Sequence, residues 1–379
     1  MKTNHKVIFC NSQNMSEITN ESIDLMITSP PYPMIEMWDG LFSKQNSQIA
    51  EALKNNDGNG AFELMNQELD KVWNEVYRVL KKGGIACINI GDATRSINGR
   101  FQIYPNHSRI LNHCLRLGFH ALPQVLWIKE TNKPDKFMGS GMLPVGAYVT
   151  LEHEFILILR KDGKREFKSI EEKQRRRESA FFWEERNTWF SDKWKNVNGV
   201  FQKLNNENLR ERSAAFPFEL AYRLINMYSI KEDIVLDPFL GTGTTTIASI
   251  TSGRNSIGYE IDNNFEKVIL SRVKISKEFA NEYILNRLKN HSIFVIERIK
   301  SKGEPRYNNN FYDFSVVTRH EVDIIINRIF SIQLNPNRTY EVLYDDKPQI
   351  LNFGNVKTSL DLKNFKQNES SQMTLHNVG

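Results

Sequence analysis

The stretch that most constrains this chain runs from Asp233-Ile234-Val235-Leu236 through Asp237-Pro238-Phe239-Leu240 into Gly241-Thr242-Gly243-Thr244. An apolar strand that ends in a glycine turn and resumes as a helix is the repeating unit of an α/β sheet. Glycine is required where backbone must turn tightly and come close to a ligand at a helix start. The rest of the sequence keeps the same alternation. Strand-like runs at 7–9, 25–28, 85–90, 122–128, 155–159, 234–236 and 256–261 alternate with helical patterns at 62–82, 104–117, 217–228 and 244–252. This predicts a mostly parallel sheet with helices on both faces. A longer helical stretch runs from 265 towards 300. Residues 43–60 are polar, end in Asn55-Asn56-Asp57-Gly58-Asn59-Gly60, and read as a mobile loop.

Composition excludes several classes. The 379 residues are 40% hydrophobic and 25% charged, as in a globular protein with a sizeable core. No apolar run is long enough to span a bilayer, and no signal-peptide core follows Met1, so a cytoplasmic, nucleoid-associated place in a prokaryote and no membrane partner are expected. Cys10, Cys87 and Cys114 lack metal-ligand spacing and read as buried, reduced thiols. The net charge of +5 permits a polyanionic partner without requiring one. His153 and Glu154 have no further ligands near them in sequence. They read as a structural pair at a strand end, and no metal is expected.

The glycine turn narrows the cofactor. Glu260 ends the next strand, about twenty residues on, where a carboxylate can hold ribose hydroxyls. Thr246 stands where a dinucleotide fingerprint has its third glycine, and no Gly-Lys-Ser/Thr follows. Asp237, Pro238 and Phe239 place a carboxylate and a ring before the turn, which suits a cationic amino-acid moiety better than a pyrophosphate. S-adenosyl-L-methionine fits, with Asp237, Pro238, Phe239, Gly241, Thr242, Gly243, Thr244 and Glu260 as candidate contacts.

A second run, Thr28-Ser29-Pro30-Pro31-Tyr32, follows the apolar stretch 23–27. The exocyclic amine of a base is a poor nucleophile because its lone pair is delocalised into the ring. Two acceptors on its N–H groups draw the nitrogen towards tetrahedral geometry and restore that lone pair. Ser29 Oγ and the Pro30 carbonyl suit that task, Pro30 and Pro31 stiffen the turn, and Tyr32 offers a ring for stacking. Such an amine lies inside a duplex, so the base must be flipped out, and transfer is then an in-line displacement governed by positioning. Cytosine-C5 methylation needs a Pro-Cys nucleophile. Phe9, Ala86 and His113 precede the three cysteines, so that chemistry is excluded.

Together these motifs resemble a site-specific DNA amino-methyltransferase of the β class, in which the catalytic motif precedes the cofactor motif. Ser-Pro-Pro-Tyr is similar to the version typical of cytosine-N4 enzymes, whereas adenine-N6 enzymes usually carry Asp-Pro-Pro-Tyr. The resemblance extends over 6–263 and includes Gly258-Tyr259-Glu260-Ile261-Asp262, Ala215-Phe216-Pro217, Gly83-Gly84 and His153-Glu154. It implies a Rossmann-like methyltransferase fold with a mixed seven-stranded sheet, the strand at 7–9 lying beside the one that ends at Glu260. It also implies that Phe216 and Pro217 close the cofactor pocket. Cys10-Asn11 stand where many members carry an acid near the adenine, which leaves Asn11 as the candidate there. An adenine-N6 enzyme, methylation of RNA or protein, and a catalytically inactive DNA-binding module are the alternatives.

The chain therefore divides into a catalytic half (1–160), a target-recognition insert (161–212), a cofactor half with a long helix (213–300) and a C-terminal extension (301–379) whose tail, 364–379, is expected to be disordered. The insert holds fourteen Lys/Arg against ten Asp/Glu. Arg175-Arg176-Arg177 are candidates for phosphate contact, while most of Phe181, Phe182, Trp183, Trp189, Phe190 and Trp194 read as a small core. A second DNA-binding candidate is the Lys-, Gly- and Pro-rich stretch 129–148, with Lys133, Lys136, Gly139 and Gly141. The expected partners are double-stranded DNA with a short recognition sequence and a restriction endonuclease acting on the same site. The protein itself would be a monomer or dimer.

Overall fold

The structure is a computed structural model that describes residues 1–129, 138–195, 197 and 216–348. Strand β1 (Lys2–Phe9) leads to β2 (Ile23–Thr28), every residue of which is buried. Its apolar stretch Leu25 to Ile27 reads as a strand with both faces covered. Three helices follow: α1 (Asp39–Gln45), α2 (Ser47–Lys54) and α3 (Gly58–Val79). The expected mobile loop at 43–60 is thus largely helical. Asn46 caps α2 by accepting from Gln48 N, Asp57 caps α3 by accepting from Gly60 N, and Phe42 and Ile49 are buried. Helix α3 buries Met65, Leu69, Val72, Trp73 and Val76 along one stripe. It ends at Val79, and the chain passes directly into β3 (Leu80–Ile90).

The hairpin β4 (Ala93–Ile97) and β5 (Arg100–Tyr104) precedes α4 (Asn106–Leu117), which Gly118 stops in the left-handed region. Strand β6 (Phe119–Ile128), the short pair β7 (Met138–Gly139) and β8 (Ala147–Tyr148), and β9 (His153–Lys161) come next. The insert contributes α5 (Ile170–Glu178), α6 (Trp183–Trp189) and β10 (Lys193–Trp194). Helix α7 (Phe218–Tyr228), β11 (Ile234–Asp237), α8 (Thr244–Ser252) and β12 (Asn255–Glu260) form the cofactor half, followed by the 37-residue helix α9 (Glu266–Lys302). A small hairpin, β13 (Tyr307–Asn308) and β14 (Ser315–Val316), and the pair β15 (Ile329–Asn335) and β16 (Thr339–Tyr344) end the described chain.

One sheet runs β10-β6-β9-β3-β2-β11-β12-β1-β16-β15. Seven neighbouring strands, β6 to β1 in that order, make the expected mixed sheet. The insert adds β10 at one edge and the C-terminal extension adds β16 and β15 at the other, giving ten strands. Strands β3, β2, β11, β12 and β1 are parallel, and Phe9 lies opposite Glu260 as expected. Strand β9 is antiparallel to both β3 and β6. The chain reverses its winding between β2 and β11. At such a switch point the carboxyl ends of two central strands open a crevice.

Candidate functional site

That crevice is the cleft. A cavity of about 890 Å³ opens there, walled by the loops after β1, β2, β11 and β12, by α1 and by Phe216. Strands β2 and β11 pair in parallel, with Val235 opposite Leu25 and Leu236 opposite Met26, which brings the Ser29 and Phe239 turns side by side. A direct bond ties the two corners. Thr28 Oγ1 donates to Asp237 Oδ1 at 2.7 Å, across 209 residues of sequence.

Most of the expected site residues meet in this cavity: Asn11, Ser29, Pro30, Pro31, Phe216, Asp237, Pro238, Phe239, Gly241, Thr242, Thr244 and Glu260 all line it. Gly243 lies behind the lining, at φ +84, where it starts α8. Pro217 caps α7 next to Phe216. Asn11 Oδ1 accepts from Gln13 N, so its side chain shapes the loop as well as facing the cleft. Asp237 differs from the expectation of a carboxylate aimed at a cationic ligand. Its Oδ1 takes Thr28 Oγ1 and Phe239 N, and its Oδ2 takes Thr245 Oγ1 at 2.5 Å. Three donors commit it to holding the turn. Burial raises its carboxyl to about 6 against those hydrogen bonds.

Glu260 is placed differently. Oε2 accepts from Gly241 N and Oε1 from Asp262 N, both at 2.8 Å. Each oxygen keeps a lone pair for a further donor on the cavity side. Burial pushes its pKa up to about 7, with the two backbone N–H groups opposing. A buried carboxylate held by backbone, beside a turn whose Gly241 and Gly243 are both at positive φ, is a donor-seeking cradle of the kind that ribose hydroxyls fill.

At the catalytic corner Pro30 and Pro31 are buried and Ser29 and Tyr32 half-buried. Burial, and next the charge of Glu154, hold the Tyr32 phenol well above its ordinary pKa, so it remains a donor. Tyr32 Oη donates to Glu154 Oε2 at 2.8 Å and lies 3.0 Å from Ser29 Oγ. Asn89 Nδ2 donates to Tyr32 Oη at 2.8 Å and to Glu154 Oε2 at 2.6 Å. Lys129 pairs with the other Glu154 oxygen. Glu154, read from sequence as part of a structural pair, is therefore part of this network. It was missed because its partners Tyr32 and Asn89 lie 122 and 65 residues away, and only the antiparallel β3–β9 pairing brings them together. Asn89, at the end of the apolar β3, carried no signal beyond a polar residue in a buried strand.

The arginine run is not at the cleft. Arg175, Arg176 and Arg177 lie on α5, where Arg175 pairs with Glu232 at 3.1 Å and Arg176 covers the Phe167 ring. Arg165 joins the same end of the molecule to Asp233 and Asp24. These carboxylates lie just before β11 and near the start of β2, at the amino ends of strands whose carboxyl ends form the cleft. The arginine run, expected to contact phosphates, thus lies towards the amino ends of these strands rather than at the cleft. The aromatics of the insert are mostly core, with Phe182, Trp189 and Trp194 buried. Lys133 and Lys136 lie outside the described residues. Cys87 and Cys114 are buried thiols, but Cys10 is exposed and lines the cleft. Among the described residues one group of possible metal ligands gathers, Glu184, His291 and Glu321. Both Glu321 oxygens are already taken, by Trp183 N, Thr318 N and Thr318 Oγ1. No helix among them is long and apolar enough to cross a membrane.

Fold and cleft together define a Rossmann-like α/β protein whose cavity joins the Gly241 turn to the Ser29 turn. Comparison with known proteins narrows the class. The N6/N4 methyltransferase family model, described as DNA methylase, matches residues 23–271. The Type II methyltransferase M.MthZI of Methanothermobacter thermautotrophicus is 53% identical over 347 residues, 91% of this chain and 96% of that protein. M.MjaI of Methanocaldococcus jannaschii, also a Type II methyltransferase, is 49% identical over 298 residues, 74% of this chain and 97% of that protein. A crystal structure from Thermus thermophilus, of a DNA modification methylase complexed with S-adenosyl-L-methionine, matches with a TM-score of 0.54 at 29% identity, covering 72% of this chain and 95% of that one. The chain belongs to the N6/N4 DNA methylase family, in its β class. Its cofactor is S-adenosyl-L-methionine and its substrate is DNA.

Proposed function

We propose that the protein is a Type II, site-specific DNA methyltransferase that modifies the N4 amine of cytosine, flipped out of a short duplex recognition sequence. The observation that carries this reading is the direction of the hydrogen bonds at Ser29. Glu154 is an acceptor only, so the Tyr32 proton goes to it. Tyr32 Oη then accepts, from Asn89 on one side and from the Ser29 hydroxyl on the other. With its proton engaged, Ser29 Oγ keeps two lone pairs, one facing Asn89 Nδ2 at 3.4 Å and the other left for a substrate amine. It is left as an acceptor, which is what an amine needs if its lone pair is to be freed from the ring. The Pro30 carbonyl is the second acceptor.

When bound, the cofactor supplies a methyl group on a sulfonium. Glu260 would hold its ribose hydroxyls, Phe216, Pro217 and Phe239 its remaining contacts, and Asn11 its base. Ser29 and Pro30 orient the amine, so catalysis rests on positioning rather than on a covalent intermediate. Glu154 is a positioning residue that acts through Tyr32. Glu154→Gln can present an N–H to Tyr32 and reverse the chain of donors. It should lower the transfer rate by about tenfold while cofactor and DNA affinities hold. Equal loss in rate and both affinities would make its role merely structural. A serine at the head of the motif, where the adenine-N6 pattern has an acid, supports cytosine. The names of the relatives support a restriction-modification setting with a cognate endonuclease.

Incubation with DNA and labelled cofactor, then nucleoside digestion, tests the product. N4-methylcytosine is expected, and label only in N6-methyladenine would refute the cytosine reading.

A further inference from the structure

Between the end of β6 and the start of β9, at the same end of the sheet as the Ser29 turn, residues 138–148 form a small hairpin. Its base is fixed to the site itself. Lys129 N donates to Glu152 O at 2.8 Å, and the Lys129 side chain pairs with Glu154, which holds Tyr32. Its arms are β7 and β8, and Tyr148 stacks on Phe101 of β5 with ring centroids 4.6 Å apart and planes 14° from parallel.

The tip is closed tightly. Ser140 N donates to Gly146 O at 2.9 Å, and Ser140 Oγ donates to Leu143 O at 2.5 Å. Gly139 sits at φ +70, and a Cβ there would fall 2.0 Å from Gly146 O, so no other residue fits. This well-tied tip presents apolar side chains to solvent: Met142 is 86% exposed, Leu143 69%, Val145 99%, and beyond them Val149 83%. Scattered exposed apolar residues need no explanation, but four within residues 142–149, on a hairpin whose base is bonded to the Tyr32–Glu154 network, mark a contact surface.

The occupant follows from where the hairpin stands. Duplex DNA must reach the corner at Ser29 for its amine to be methylated, and the hairpin rises from the same strand ends. A polar, phosphate-binding loop would carry cations at its tip, whereas residues 142–145 carry none. Apolar side chains that enter the base stack act as wedges and fill the space of an unstacked base.

We propose that residues 142–145 form a wedge that enters the duplex and takes the place of the nucleotide drawn into the cleft. This rests on the reading that the target base leaves the helix. The wedge stabilises the gap, so it lowers the cost of extruding a paired base and matters little when the base is already unpaired.

The test is the full chain carrying Met142→Ser, Leu143→Ser and Val145→Ser together, which leaves Gly139, Ser140 and Gly146 intact. Single-turnover rates are measured on a duplex containing the methylated sequence and on the same duplex with the target base mispaired. A fluorescent base analogue beside the target reports extrusion, and cofactor titration reports folding. The proposal expects unchanged cofactor affinity, a rate loss of about tenfold or more on the paired duplex, and recovery to within about twofold on the mispaired one. Equal loss on both duplexes, or no loss on either while the fluorescence of the unaltered protein still reports extrusion, would overturn the wedge alone. No extrusion signal from the unaltered protein, and no rate gain from mispairing, would overturn the wedge and the flipping together.

Discussion

With Glu260 assigned to the cofactor as proposed, one side chain links pH to cofactor affinity. Burial raises its pKa to about 7, so in the free protein it is half-protonated near neutrality. A raised carboxyl contributes stability below its ordinary value of 4.5, and that contribution is lost as the pH rises through 7. Hydroxyl donors from a bound cofactor favour the ionised form, so proton and cofactor compete. Affinity for S-adenosyl-L-methionine should therefore be constant above about pH 7.5 and weaken by up to about tenfold per unit below pH 6.5. Calorimetric titration across that range checks this, and Glu260→Gln should flatten the profile. A pH-independent affinity in the unaltered protein would refute the assignment. Glu260 was legible from sequence because a strand-ending acid at a fixed distance from a glycine turn is a local pattern. Asp237 was legible as a site residue but not in its role, because the donors that occupy it include Thr28, 209 residues away.

Among the elements, the buried strands were the most legible. Leu25 to Ile27 and Ile85 to Ile88 are unbroken apolar runs within buried strands, the pattern of a strand covered on both faces. Helices α1 and α2 were not legible, because each buries only one large apolar residue, and α2 depends on its Asn46 cap and on packing against α3. The decisive junction is β2 against β11. Thr28 is fully buried and supplies one of three donors to Asp237. Thr28→Val keeps the shape and removes the donor. It should cost about 1–3 kcal/mol, seen as a lower Tm, and should weaken cofactor binding through the loosened turn. Unchanged stability and affinity would show that the two corners are held together by the sheet alone.

Across the whole molecule, the extension beyond α9 proves part of the main sheet. Strand β16 pairs with β1, and Tyr344 Oη donates to Ile250 O at 2.7 Å beneath α8. Sequence could suggest only a small mixed region there, since antiparallel pairing with the first strand joins residues about as far apart as the described chain allows. Tyr344→Phe leaves that buried carbonyl without its donor and should cost about 1 kcal/mol by denaturant unfolding, with the transfer rate unchanged. A changed rate would mean that the extension reaches the active site. The same view places the arginines of α5 at the end remote from the cleft. The account as a whole depends on Ser29 acting on the substrate inside the cofactor cleft. The most direct test is to measure the single-turnover transfer rate and the cofactor dissociation constant of Ser29→Ala side by side. The rate should fall by about a hundredfold with the constant unchanged. A full rate in that variant, or a loss explained entirely by weaker cofactor binding, would contradict it.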